Sequence, residues 1–82
     1  MYDYFIIGSE SCSYCENSKK LLESKDLDYF YVFMNDLSST QVTEYETIAG
    51  MEFRSVPQIF KQEGEELTYI GGYTELAQSF RS

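Results

Sequence analysis

The chain has no histidine, only two cysteines, one proline and six basic residues. Each shortage closes off a class of function. Without histidine a Ser/His/Asp set cannot be completed. A structural zinc takes about four Cys or His ligands, and only the two thiols are on offer, so no metal site is expected. A secreted disulfide scaffold of this length ordinarily carries about four to eight cysteines. Against 14 acidic residues, the six Lys and Arg leave a formal charge of -8, which repels phosphate backbones and anionic membrane surfaces alike. No apolar run approaches the roughly 18 residues of a membrane span. The start is not a basic segment leading into an apolar one, so no secretory leader is expected. A glycine-rich nucleotide loop and paired carboxylates for acid–base work are missing too.

What remains is enough for one folded domain over residues 1–82. Apolar residues make up 43% and aromatics 17%, so a core can form, with Tyr and Phe rings burying roughly 150–250 Å² each. Redox-active thiols in a chain so poor in cysteine fit cytoplasmic residence better than an oxidising compartment.

The two thiols are Cys12 and Cys15, separated by Ser13 and Tyr14. They sit where a strand-like run, Tyr2–Ile7, gives way at Gly8 and a loop (9–13) to a helical pattern, Cys15–Ser24. Cysteines three positions apart at a helix start can close a small disulfide ring. The helix also presents unpaired N–H groups and its positive dipole end to the first sulfur. Both features favour thiolate, the form that attacks disulfides. Two buried apolar cysteines or a structural disulfide would be the plainer reading, but the helix-start position points to dithiol redox chemistry.

Along the helix, Cys15, Ser18, Leu21 and Leu22 share one face, and Lys19 and Lys20 follow Glu16 in a favourable order. A second strand is predicted over Asp28–Met34. Ser38 and Gln41 form a capping box for a helix reaching Ala49, with Val42, Tyr45, Ile48 and Ala49 as its apolar stripe and Gly50 as C-terminal cap. A third strand is predicted over Val56–Lys61 with Pro57 near its start. A turn at Glu63–Glu66, a fourth strand over Leu67–Ile70, a Gly71-Gly72 break and a last helix capped by Thr74 complete the chain. The order is βαβαββα, an α/β fold. It should give a four-stranded mixed sheet with helices on both faces, a right-handed parallel first crossover and a final antiparallel hairpin.

Three motifs in this order resemble the glutaredoxin family of the thioredoxin-like fold: Cys12-Ser13-Tyr14-Cys15, Ser55-Val56-Pro57-Gln58-Ile59-Phe60 and Ile70-Gly71-Gly72-Tyr73-Thr74-Glu75. The resemblance spans essentially the whole chain. It implies a glutathione-dependent thiol–disulfide oxidoreductase in which Cys12 attacks and Cys15 resolves, with glutathione as the reducing cosubstrate. It also implies a cis Pro57 and a Val56 main chain that pairs with the cysteine part of glutathione, an instance of strand addition. The Gly71-Gly72 turn, with the helix start at Thr74 and Glu75, would receive the γ-glutamyl end. Tyr14 would line the groove as a partly exposed ring.

Implied partners are glutathione and disulfide-containing or glutathionylated proteins, ribonucleotide reductase being a frequent family client; a monomer is expected. Two other readings stay open. One is a glutathione-ligated 2Fe–2S dimer, motivated by Ser13. The other is a donor fed by thioredoxin reductase, against which the Gly71–Thr74 turn argues. The pattern departs from the family at Ser9, where many members carry Lys or Arg, while Glu10 and Glu16 flank the thiols and oppose ionisation. Arg54, Lys19, Lys20 and Lys61 are the cations left for the glycine carboxylate of the tripeptide.

Overall fold

The computed structural model describes residues 2–81. Eight elements follow in order: β1 (Tyr4–Gly8), α1 (Ser13–Ser24), β2 (Tyr29–Phe33), a 3-10 turn (Met34–Asp36), α2 (Ser39–Ala49), β3 (Gln58–Glu63), β4 (Glu66–Gly71) and α3 (Tyr73–Ser79). The strands form one sheet in the order β2-β1-β3-β4. β1 runs parallel to β2, from Tyr4 opposite Tyr29 to Gly8 opposite Phe33, and antiparallel to β3. β3 and β4 form the terminal hairpin, turned at Gly64, whose φ of 64° suits a residue without Cβ. The expected mixed sheet is present.

β1 is buried on both faces along its whole length, which explains why its sequence shows no polar alternation. The pleat sends Tyr4 and Ile6 to one side and Phe5 and Ile7 to the other. On the first side Leu22 of α1, Ile59 and Leu76 of α3 complete a cluster. On the second, Phe5, Ile7 and Phe60 pack against Tyr45 and Ala49 of α2, with Leu37, Phe53 and Tyr69 around them. Helices thus cover both faces, and the sheet keeps two separate apolar clusters. Phe60 is fully buried and its ring meets Phe5, Tyr45, Phe53 and Tyr69 at centroid distances of 5.3–6.3 Å.

Several boundaries differ from expectation for identifiable reasons. β1 starts at Tyr4, because Asp3 is drawn into a crossing contact, its N–H donating to the Asp28 carbonyl and its carboxylate accepting from the Asp28 N–H. β2 ends at Phe33, where Met34–Asp36 coils into the 3-10 turn. The capping box at Ser38 and Gln41 and the left-handed Gly50 cap are as predicted. Ile48, however, faces outward at 47% exposure. Consecutive helical residues lie about 100° apart, which puts Ile48 beyond the arc shared by Tyr45 and Ala49. Finally, α3 is capped at Gly72, two residues earlier than the expected Thr74.

Candidate active site

α1 begins at Ser13, so Cys12 is its N-cap residue, and the Cys15 N–H donates to Cys12 Sγ at 3.1 Å. A sulfur there satisfies one of the orphan donors of the helix start, and its charged form gains most from that donor and the dipole. Cys12 and Cys15 are joined as a disulfide, with Cα atoms 5.1 Å apart. The two sulfurs are not equivalent. Cys12 is half-buried, while Cys15 is 0% exposed. Chemistry from solvent must therefore start at Cys12.

Gly8, which the sequence marks only as the end of a strand, sits under this pair. A Cβ there would collide with the Tyr31 hydroxyl and come within 2.9 Å of Cys15 Sγ. Its bare backbone is what lets the buried sulfur settle against the end of β1.

On the other side of Cys12 lies the segment before β3. Val56–Pro57 is a cis peptide, as the family resemblance implies. The Val56 carbonyl lies 3.8 Å from Cys12 Sγ, and the Val56 N–H has no partner among the described residues. Neither residue belongs to β3, which begins at Gln58. Gln58 holds the segment in place: its buried amide donates to the Ser55 carbonyl at 2.7 Å and accepts the Tyr69 hydroxyl at 2.6 Å. That role is invisible to sequence patterning, since a glutamine in a strand normally reads as solvent-facing.

Tyr14, Ser55, Val56, Pro57, Gly72, Tyr73, Thr74 and Glu75 line one groove of about 140 Å³. Six of the residues singled out for ligand contact are thus brought together; Gly71 is buried below the groove. Tyr14 is 62% exposed and stacks on Tyr73 at 6.1 Å. Glu75 does not stand free. Its Oε1 accepts the Gly72 N–H at 2.7 Å, and a Cβ on Gly71 would meet that carboxylate at 2.8 Å, so the glycine pair lets the acid fold back over the turn.

The cations separate clearly. Arg54 lines an adjoining apolar groove of about 340 Å³ with Ser9, Met34, Val42, Phe53 and Val56. Lys19 pairs with Glu16 at 2.6 Å and lies over the Tyr31 ring, which tempers the repulsion that Glu16 would exert on a Cys12 thiolate. Lys61 stands on β3 opposite Tyr4. Arg54 shares its groove with Val56. A wider depression, of about 500 Å³, follows the outer side of α2 at Thr43, Thr47 and Ile48; it is lined by no cysteine, and size alone does not mark the site.

A capped dithiol at the first helix of a thioredoxin-like sheet, facing a Val–cis-Pro segment, defines a thiol–disulfide oxidoreductase. Residues 4–65 match the family model described as Glutaredoxin, and the chain belongs to the glutaredoxin family. A buckwheat glutaredoxin solved as a glutathione complex is similar at TM-score 0.74 and 22% identity, covering 98% of this chain and 69% of the other. A glutaredoxin from Brucella melitensis matches at TM-score 0.67 and 25% identity, covering 99% and 80%. A dithiolic glutaredoxin from Trypanosoma brucei brucei matches at TM-score 0.72 and 22% identity, covering 98% and 78%. No curated protein sequence matches the chain.

Proposed function

We propose that the protein reduces protein disulfides and glutathione mixed disulfides with glutathione as electron source. The observation that carries this reading is the contrast between the two sulfurs, a half-exposed Cys12 capping α1 beside an open Val56 main chain and a fully buried Cys15 behind it. The Cys12 thiolate attacks a substrate disulfide, forming a mixed disulfide and expelling one substrate thiolate. Cys15 then attacks Cys12 Sγ, releases the second thiol and leaves the 12–15 disulfide, which two glutathione thiols reduce. For a glutathionylated substrate, Cys12 alone suffices, with a second glutathione thiol as resolver.

The groove fits a tripeptide in part. The Val56 N–H, without a partner among the described residues, and the Val56 carbonyl offer the two ends of a strand-like pairing, and Arg54 is a cation available for a terminal carboxylate. Thr74 and Glu75 open α3, although Glu75 already engages the Gly72 N–H. Among protein disulfides, that of ribonucleotide reductase is the client to assay first, on the family resemblance. The same resemblance supports a monomer, and the paucity of cysteine supports work in the cytoplasm.

The test is glutathione-coupled reduction of a small mixed disulfide by wild type, Cys12→Ser and Cys15→Ser. Loss of all turnover in Cys12→Ser with turnover kept in Cys15→Ser is the expected result. Equal loss in both would overturn the assignment of roles, and activity only with thioredoxin reductase would overturn the choice of reductant.

A further inference from the structure

Cys15 is 0% exposed, so once reduced its thiol has no water to bond with, and a weak S–H donor left unpaired there would be unusual. The Tyr31 hydroxyl is an acceptor close to it: a Cβ placed on Gly8 would stand 2.1 Å from that hydroxyl and 2.9 Å from Cys15 Sγ, so both atoms border the space that this glycine leaves open. The Tyr31 hydroxyl already donates its proton to the Ser9 carbonyl at 2.8 Å, which turns its oxygen into a free acceptor. Lys19 sits 4.4 Å above the ring centroid and Glu16 pairs with Lys19; these are the charged groups facing Tyr31 from α1. Burial pushes the Tyr31 hydroxyl above its ordinary value, so it stays protonated throughout the working range.

We infer that the Tyr31 oxygen accepts a hydrogen bond from the reduced Cys15 thiol and so acts as a positioning residue for the resolving step. This rests on the dithiol reading above and names a regulator of that same site. The bond holds Cys15 as thiol. To resolve, Cys15 must break it, give up its proton and attack Cys12 Sγ as thiolate. The Cys12–Cys15 bond forms, the bond to the substrate sulfur breaks, and the departing substrate thiolate takes up the proton that Cys15 gave up. Tyr31 thereby lengthens the life of the mixed disulfide and stabilises the dithiol over the disulfide.

Removing the acceptor with Tyr31→Phe keeps the ring and its contact with Lys19. In a Cys12→Ser background, the Cys15 titration midpoint, followed by alkylation rate against pH, is expected to fall by roughly half a unit to one unit. In the dithiol protein, the equilibrium against glutathione is expected to move about three- to tenfold toward disulfide. The Cys12 midpoint in Cys15→Ser should stay put. An unmoved Cys15 midpoint, or an equal movement of Cys12, would overturn the inference. If Tyr31→Phe does not fold, the Raman S–H stretch of Cys15 in reduced Cys12→Ser decides: a band lowered as for a bonded thiol is expected, and an unshifted band overturns it. Neither measurement needs glutathione turnover, so failure of the coupled assay leaves this test readable.

Discussion

The Sγ of Cys12 accepts the N–H of Cys15 at 3.1 Å, so the proposed attacking atom is also the cap of the helix that carries it. Reactivity and local stability are thereby joined, and substitution can separate them. Cys12→Ser keeps an oxygen acceptor in the cap position, whereas Cys12→Ala keeps none. Both should be inactive. Urea unfolding of the two should nevertheless differ by about 1 kcal/mol in favour of serine. Equal stabilities would show that the sulfur contributes nothing as a cap.

The charge around the thiols makes a second expectation. Ser9 and Arg54 line the same groove as Val56, and the chain as a whole is strongly acidic. Ser9→Lys should lower KM for a glutathionylated substrate about two- to fivefold, the scale of one exposed ion pair. The gain should fade at about 1 M salt, where exposed charges are screened within roughly 3 Å. Steady-state kinetics at two ionic strengths checks it, and a salt-independent gain would point away from electrostatics.

Phe60 tests the core that is remote from the sulfurs. Its ring is fully buried among four aromatic neighbours. Phe60→Ala should cost about 3–5 kcal/mol, a large share of the roughly 5–15 kcal/mol that holds a small domain together. Thermal or urea unfolding measures the loss. The fraction that remains folded should keep its turnover per molecule.

Tyr29 provides a pH signature. Burial and a 2.5 Å hydrogen bond from its hydroxyl to Glu23 push it up to about 12. The folded state holds this proton more tightly than the unfolded chain, whose tyrosines titrate near 10. The resulting stabilisation is complete below about pH 10 and is lost as pH climbs toward 12. Discounted for a partly exposed partner, it amounts to about 1–2 kcal/mol. Comparing urea unfolding of wild type and Tyr29→Phe from pH 8 upward should show a constant gap that closes above about pH 10. A gap independent of pH would contradict it. Tyr4, Tyr31 and Tyr69, also raised by burial, contribute equally to both proteins.

Much of this architecture was legible before any coordinates. The helix carrying Cys15, Ser18 and Leu22 inward, the Ser38–Gln41 capping box and the Gly50 cap depend on neighbours a few residues apart, and such local chemistry is written in sequence order. Ile48 falls outside the packed face because an apolar stripe drawn from composition ignores where its arc is centred. The Thr74 side chain suits a cap, while the actual turn is set by Gly72 and the returning carboxylate of Glu75. Gly8, Tyr31 and Gln58 could not be read as site-forming at all. Their partners are Cys15, Ser9, Ser55 and Tyr69, and most of these meet only after the strands have paired. The glycine break and the strand aromatic were visible; which atoms they serve was not.

The division of the interior by the sheet gives the molecule a working half and a ballast half. Leu22 anchors the helix that bears both sulfurs, and its cluster shares the Tyr4–Ile6 side of β1 with α3. Phe5, Ile7 and Phe60 weigh down the opposite side under α2. An engineer seeking a sturdier reductant should therefore repack beneath α2, where gains in melting temperature can be collected without moving the thiols.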